Sequence, residues 1–338
     1  MISDSLKLKM LVGLGIGASA LAATSAYYRY KSKKLQTPPT NWRQIGTIED
    51  IYIFPIKSCA PIKLDSAQCD NLGIIEQKVR DRALMLIDKN GKVITARTYN
   101  HMMKIQPKIL PNGTILITAP GMDDIELDHL SVGALNNGDI KASIFGTDVY
   151  VMPCGEIFDK WFSKYILDKD EGVRLVYYPF PVPTRKIVEP IFDNGIFLRS
   201  DTGTFFDVSS YMLIHESSVT ELNTRLEEKV EALNFRGNFV IKTTQAPYAE
   251  DHWNWVRIGE QTIFRSLAPC YRCIFPNINP HTSERNTENE PLKTLKSYRS
   301  WGNYKAPRFG IQMGIRQEGV LKKGDAVYVE GLDVKTEE

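Results

Sequence analysis

The chain has 338 residues, 43% hydrophobic and 24% charged, with a formal net charge of +2. That length admits one large domain or two moderate ones, and the composition is that of a globular protein. Residues 1–34 hold six basic residues against Asp4, or +5, so the body carries +2 − 5 = −3; this argues against nucleic acid as a partner, because neutralising phosphates requires a basic face.

Met10 to Tyr28 is a run of 19 residues without a charge. As a helix it rises about 28 Å, enough for a hydrocarbon core. Tyr27 and Tyr28, followed by Arg29, Lys31, Lys33 and Lys34, form an interfacial belt with a basic flank. A cleaved signal peptide carries its basic residues ahead of the apolar run, whereas here four of the six follow it. Residues 1–34 therefore read as an N-terminal membrane anchor, one transmembrane helix over about residues 10–28, with the body on the cytosolic side. Residues 35–44, with Pro38 and Pro39, read as a linker.

In the body, residues 45–58 alternate apolar and polar side chains up to Pro55, a strand followed by a turn. Residues 83–94 carry Asn90-Gly91 between two apolar runs, a β-hairpin signal. Short strands are expected at 114–118, 141–145 and 149–152. Residues 156–167 place Ile157, Trp161, Phe162 and Tyr165 on one helical face, and a second helix covers 216–230, where Val219, Leu222 and Leu226 recur. Between them, the proline- and glycine-rich residues 179–204 mark a boundary or a surface loop. Strands follow at 239–242, 262–267 and 326–330, the last entered through a turn at 319–325. The pattern contains no internal repeat, no alternating βαβ units and no dinucleotide-type Gly-x-Gly-x-x-Gly in the body. The fold class is mixed α+β, strand-dominated and β-barrel-like.

Cys270-Tyr271-Arg272-Cys273 is the only Cys-x-x-Cys among five cysteines. A thiolate binds soft metals and does redox chemistry, and the neighbouring Arg272 favours the ionised sulfur. The alternative is two small hydrophobes packed in a core strand. Cys59, Cys69 and Cys154 are an odd, widely spaced set that fits reduced thiols of the cytosol. There is no second cysteine pair to complete a zinc site and no closely spaced set for an iron–sulfur cluster. Asp123 and Asp124 are adjacent and do not form an acid–base pair. His252 beside Trp253 and Trp255 reads as an aromatic-rich turn packed on the core.

Four stretches line up in order: Phe54-Pro55-Ile56-Lys57-Ser58-Cys59, Arg80-Asp81-Arg82, Asn234-Phe235-Arg236-Gly237-Asn238, and the cysteine pair with residues 290–299 downstream. Together they resemble the MOSC superfamily, the molybdenum-cofactor-binding fold, and within it the mitochondrial amidoxime reducing component family, over nearly the whole chain. The resemblance implies an N-terminal MOSC-type β-rich region over 45–174, in which 45–82 contributes to the cofactor site, and a MOSC domain over 175–335. It implies a molybdenum cofactor (Mo-molybdopterin), with Cys273 as the metal ligand and catalytic residue. Cys270 is left as a neighbour that tunes the site, a redox-sensing partner or core. Lys57, Arg82, Arg236 and Arg272 match positive positions that hold the anionic pterin, and Ser58 matches a hydroxyl position. Tyr271 belongs with the cofactor contacts, as do Asp207 and Ser209, although Val208 stands where the family has threonine. The family's tyrosine after Phe309-Gly310 is replaced by Ile311-Gln312.

The implied activity is the two-electron reduction of N-hydroxylated compounds, N–OH to N–H with loss of water. Electrons would come from NADH through cytochrome b5 reductase and cytochrome b5, at the mitochondrial outer membrane or the endoplasmic reticulum. Two rival readings are a sulfur-carrying MOSC protein with a persulfide on Cys273 or Cys270, and a non-enzymatic membrane adaptor.

Overall fold

The computed structural model describes residues 33, 35–134, 139–185, 196–300 and 305–331. In chain order its strands are β1 (Trp42–Ile53), β2 (Ile62–Leu64), β3 (Ser66–Asp70), β4 (Gly73–Glu76), β5 (Val79–Arg80) and β6 (Leu84–Asp88). Next come β7 (Gln106–Ile109), β8 (Ile115–Thr118), β9 (Ile125–Leu127), β10 (Ile140–Ile144), β11 (Thr147–Pro153) and β12 (Val173–Tyr177). The last are β13 (Tyr211–His215), β14 (Phe239–Thr243), β15 (Trp255–Ile258), β16 (Thr262–Tyr271), β17 (Arg308–Gln317), β18 (Gly319–Lys322) and β19 (Ala326–Glu330).

Seven strands close into a barrel in the order β14-β13-β17-β16-β15-β19-β1, with β1 pairing back onto β14. One closing strand thus comes from the start of the body and the other six from its C-terminal half. β1 forms, but its strict alternation is interrupted: Ile45, Ile48, Ile51 and Ile53 are buried, at spacings of three, three and two. Its register slips once against β19 and once against β14, on either side of Gly46. A Cβ on Gly46 would lie 2.0 Å from the Lys242 carbonyl oxygen, so only glycine lets the strands approach at this bend. Inside the barrel, Tyr211 meets Phe239 and Phe264 at 5.9 and 5.0 Å between ring centroids. The Tyr211 hydroxyl donates to the Asp70 carbonyl at 2.6 Å, satisfying the one polar atom it buries.

Three small sheets surround the barrel: β10-β11-β12-β6, β18-β3-β4-β5 and β7-β8-β9. The second is mixed in origin, since β18 pairs with β3 across the two halves of the chain.

Several elements differ from the sequence pattern. The 156–167 helix forms, but its buried face is Phe158, Trp161, Phe162 and Ile166, and Ile157 is 66% exposed. Its rotation is fixed from β12: the Asp159 carboxylate accepts the Leu175 N–H and the Ser163 hydroxyl accepts the Val173 N–H, each at 2.9 Å. The Asn90-Gly91 turn is present, yet its return arm makes one bridge to β6, Ile87–Val93, and another to β10, Lys92–Ser143. That arm is drawn away because the Val93 N–H donates to the Ser143 carbonyl of β10, leaving β6 to pair with β12. Residues 319–325 are strand β18 followed by the turn. The second helix ends at Arg225, and it links the parallel pair β13–β14, one β-α-β unit that the periodicity did not reveal. Trp253 and Trp255 are buried, as expected of a packed turn.

The linker is docked at its start. Arg265 Nε donates to the Leu35 carbonyl at 3.2 Å, Arg316 Nε donates to Gln36 Oε1 at 2.5 Å, and β1 begins at Trp42. Among the described residues no helix is long and apolar enough to cross a membrane. The expected helix over 10–28 lies outside the described residues.

Candidate active site

Backbone bonds bring the first two motifs together. The Arg82 N–H donates to the Phe54 carbonyl, the Leu84 N–H to Pro55 and the Lys57 N–H to Leu84, at 2.8 to 3.0 Å. The Asp81 side chain, fully buried, then locks three segments: it accepts the Phe54 N–H at 2.6 Å, Asn238 Nδ2 at 2.7 Å and Arg82 Nη1 at 2.5 Å. Burial raises the Asp81 carboxyl, while Arg82 and the two amide donors oppose that rise. Asn234 Nδ2 reaches the Pro276 carbonyl at 3.1 Å, tying the Asn-Phe-Arg-x-Asn motif to the loop that follows Cys273. Two asparagines of that motif are therefore braces, and its arginine is free to face inward.

These segments enclose a cavity of about 490 Å³. Lys57, Ser58, Arg82, Asp207, Ser209, Arg236, Tyr271, Arg272 and Cys273 all line it, so the residues singled out from the sequence converge on one space. Arg97, Phe145 and Gln312 line it as well and were not singled out. Arg97 and Phe145 sit in turns of the N-terminal half, where no sequence pattern marks them. Gln312 is the residue at the departed Phe-Gly stretch.

On one wall, aromatic rings and guanidinium groups alternate. Arg82 lies 4.9 Å from the Phe206 ring centroid and 4.4 Å from that of Phe54; Arg236 lies 4.2 Å from Phe54 and 4.9 Å from Phe275. Phe54 is thus shared between two cations, which softens their mutual repulsion. Burial, then the charge of Arg82, lowers Arg236 to about 9, which still leaves it charged at neutral pH. Its Nη2 is buried without a hydrogen-bond partner, and the Nε atoms of Arg97 and Arg185 are likewise unpartnered. Buried donors are normally paired. Two of these arginines, Arg236 and Arg97, line the cavity, and their unmet cationic donors call for an anion.

On the facing side, Lys57 Nζ donates to the Phe205 carbonyl at 2.8 Å and to Asp207, and Arg97 Nη2 donates to Asp207 at 2.8 Å. Burial is the larger effect on Lys57 and lowers it to about 8 against the pull of Asp207. Burial works against ionising Asp207, but Lys57 and Arg97 outweigh it and hold its carboxyl below the usual range. Since the Asp207 side chain is 47% exposed, solvent screens much of this attraction.

The cysteines divide cleanly. Cys59, Cys69, Cys154 and Cys270 are buried, and Cys273 alone is exposed. Burial pushes the Cys59 thiol up to about 12 and raises that of Cys270. Gln312 Nε2 donates to Cys270 Sγ at 3.1 Å while its Oε1 accepts from the Ser209 hydroxyl at 2.6 Å. Arg272 lines the cavity and also gives donors to the carbonyls of Phe309 and Phe235, each at 2.9 Å, and to the Met212 sulfur. It braces the cysteine loop. Among the described residues no three His, Cys, Asp or Glu side chains converge on a point, so a metal held by Cys273 must bring most of its own ligands.

Residues 45–169 match the MOSC N-terminal beta barrel domain family and residues 201–328 match the MOSC domain family. The chain is 31% identical over 325 residues to "Mitochondrial amidoxime reducing component 2" of Rattus norvegicus, covering 93% of this chain and 92% of that one. It is 33% identical over 295 residues to the Bos taurus protein of the same name, with coverage of 85% and 84%. It is 31% identical over 330 residues to "Mitochondrial amidoxime-reducing component 1" of Homo sapiens, with coverage of 95% and 93%. The chain belongs to the mitochondrial amidoxime reducing component family. In this family member, β1 and the turn carrying Lys57 and Ser58 fall in the stretch matched to the N-terminal domain, yet they complete the barrel and the cavity of the MOSC domain.

Proposed function

We propose that the protein is a molybdenum-cofactor-dependent reductase of N-hydroxylated compounds. The observation that carries the reading is one exposed cysteine, Cys273, on a cavity lined by Arg236 and Arg97, each with an unpartnered buried donor. The donor set fits the group: a soft thiolate for the metal, and cationic forks for a phosphate-bearing organic ligand. Arg236, Arg82 and Lys57, with Arg97 beside Asp207, would hold the anion, and Cys273 would ligate the metal. Bound there, the cofactor would supply the electron pair that turns N–OH into N–H, with two protons and release of water.

The protein's own part is placement. The stacked rings of Phe206, Phe54 and Phe275 keep both arginines from folding back into solvent, and Asp81 fixes Arg82 from behind. Lys57 holds its proton at Nζ below about pH 8. Electrons from NADH would reach the site through cytochrome b5 reductase and cytochrome b5, and the N-terminal segment would anchor the protein to the mitochondrial outer membrane. The relatives' printed names support the amidoxime activity and the organelle.

The test is molybdenum analysis of the purified full-length protein, followed by NADH-coupled reduction of N-hydroxybenzamidine with cytochrome b5 and its reductase added. About one molybdenum per chain and turnover are expected. Cys273→Ala should lose both while remaining folded, because it removes one metal bond and a small exposed side chain. Cys270→Ala should keep most of both. Wild-type protein free of molybdenum but carrying sulfane sulfur would replace this reading with the persulfide carrier.

A further inference from the structure

The β10–β11 hairpin turns through Phe145 and Gly146, the two residues between the paired Ile144 and Thr147. Both have positive φ, 48° and 87°. This is the type I′ pattern, which favours Asn or Asp first and Gly second. Phenylalanine in the first place holds a left-handed backbone that its Cβ opposes. The same ring is 52% exposed. The turn needs the left-handed backbone at this position but not a phenylalanine to hold it, and strain coincides there with an uncovered aromatic ring. Such outliers persist where the site uses them.

The ring is also held. The Arg97 guanidinium lies 4.4 Å and Lys57 Nζ 5.6 Å from its centroid, and Asp207 bonds both cations. It lines the cavity that holds Cys273. A small outlying sheet therefore reaches over the site through a single side chain.

We propose that Phe145 is the specificity-determining residue of this cavity, a platform on which the flat body of an aromatic or conjugated N-hydroxylated substrate stacks. The inference rests on the N-reductive reading above. Aromatic stacking amounts to a several-fold to roughly tenfold preference, which is the size of selectivity expected of one ring.

Phe145→Asn tests this without threatening the fold, because Asn-Gly is the favoured sequence for the turn. Wild-type, Phe145→Asn and Phe145→Tyr holoenzymes are compared with N-hydroxybenzamidine and the compact N-hydroxyacetamidine. KM for both compounds, molybdenum per chain and Tm are measured for each. In Phe145→Asn the ratio of the two KM values should shift roughly tenfold against the aromatic compound, with molybdenum content kept and Tm not lowered. Phe145→Tyr should retain the wild-type ratio. An unchanged ratio in Phe145→Asn overturns the proposal while leaving the N-reductive reading intact. Loss of molybdenum in Phe145→Asn overturns it too, by assigning the ring to the cofactor. Failure of the wild-type holoenzyme to reduce either compound overturns the functional reading and this inference with it.

Discussion

Lys57 shows how one side chain sets the working range of the site. Burial lowers its ammonium from 10.5 to about 8, with Asp207 pulling the other way. Because the folded value lies below the unfolded one, the native state gives up this proton first, so the group's contribution to stability rises with pH between about 8 and 10.5. Affinity for an anion runs in the opposite direction: the cavity loses a cation as pH climbs through about 8. Titration calorimetry of the full-length protein with inorganic phosphate should show weakening between about pH 7 and 9 in the wild type. In Lys57→Arg that limb should move to higher pH, since a guanidinium holds its proton more tightly than an ammonium. The residue types of this site were legible in the sequence, because rare motifs in a fixed order carried them. What each arginine does was not legible. Arg272 sits beside the cysteines in sequence yet gives its donors to two backbone carbonyls, and Arg97, far from any motif, turns out to share Asp207 with Lys57. Spacing along a chain reports which residues are near one another in sequence, and the direction of a side chain depends on what packs behind it.

At the scale of single elements, three lining residues share the unusual backbone of Phe145. Ser58, Arg82 and Arg236 have φ of 71°, 48° and 52°, the left-handed region that glycine would occupy more easily. Each such residue costs on the order of 1 kcal/mol. In Arg236→Gly the relief of that strain opposes the loss of packing between Phe54 and Phe275, so stability to urea should stay within about 1 kcal/mol of wild type. Molybdopterin affinity should nevertheless fall roughly ten- to a hundredfold, the usual effect of losing a charge-assisted contact. Cofactor content per chain after matched expression measures this; full occupancy in a stably folded Arg236→Gly would remove Arg236 from the site. The helices and strands themselves were largely legible because period-2 and period-3.6 patterns survive in β19 and the 156–167 helix. The misplacement of Ile157 has a simple cause. Hydrophobicity gives a helix a face to within one residue, and the hydrogen bonds of Asp159 and Ser163 to β12 decide the rest.

For the whole molecule, closure of the barrel is the decisive event. Pattern reading found the strands and a barrel-like class but not the order of the ring, because pairing partners are set by non-local packing; the β13–β14 crossover escaped for the same reason. A fragment of residues 201–328, the span matched to the MOSC domain, lacks β1 and leaves the edges of β14 and β19 unpaired. Exposed edges of that kind pair with other chains. Such a fragment should aggregate or remain unfolded by circular dichroism and sedimentation, and adding residues 35–200 on the same chain should restore a monomeric barrel. A soluble, cooperatively unfolding fragment would show that β1 is dispensable. The same ring also sets a schedule for biosynthesis. Ile53 ends the first staple of the barrel and Glu330 ends the last, so on the ribosome the first strand waits while 330 − 53 = 277 further residues are made. At about 5–20 residues per second that delay is roughly 14–55 s. For most of that delay Gln312 has yet to be added, and until β19 is made the ring that carries Lys57 and Arg236 cannot close. Whatever anion fills the cavity must therefore be delivered to a finished polypeptide.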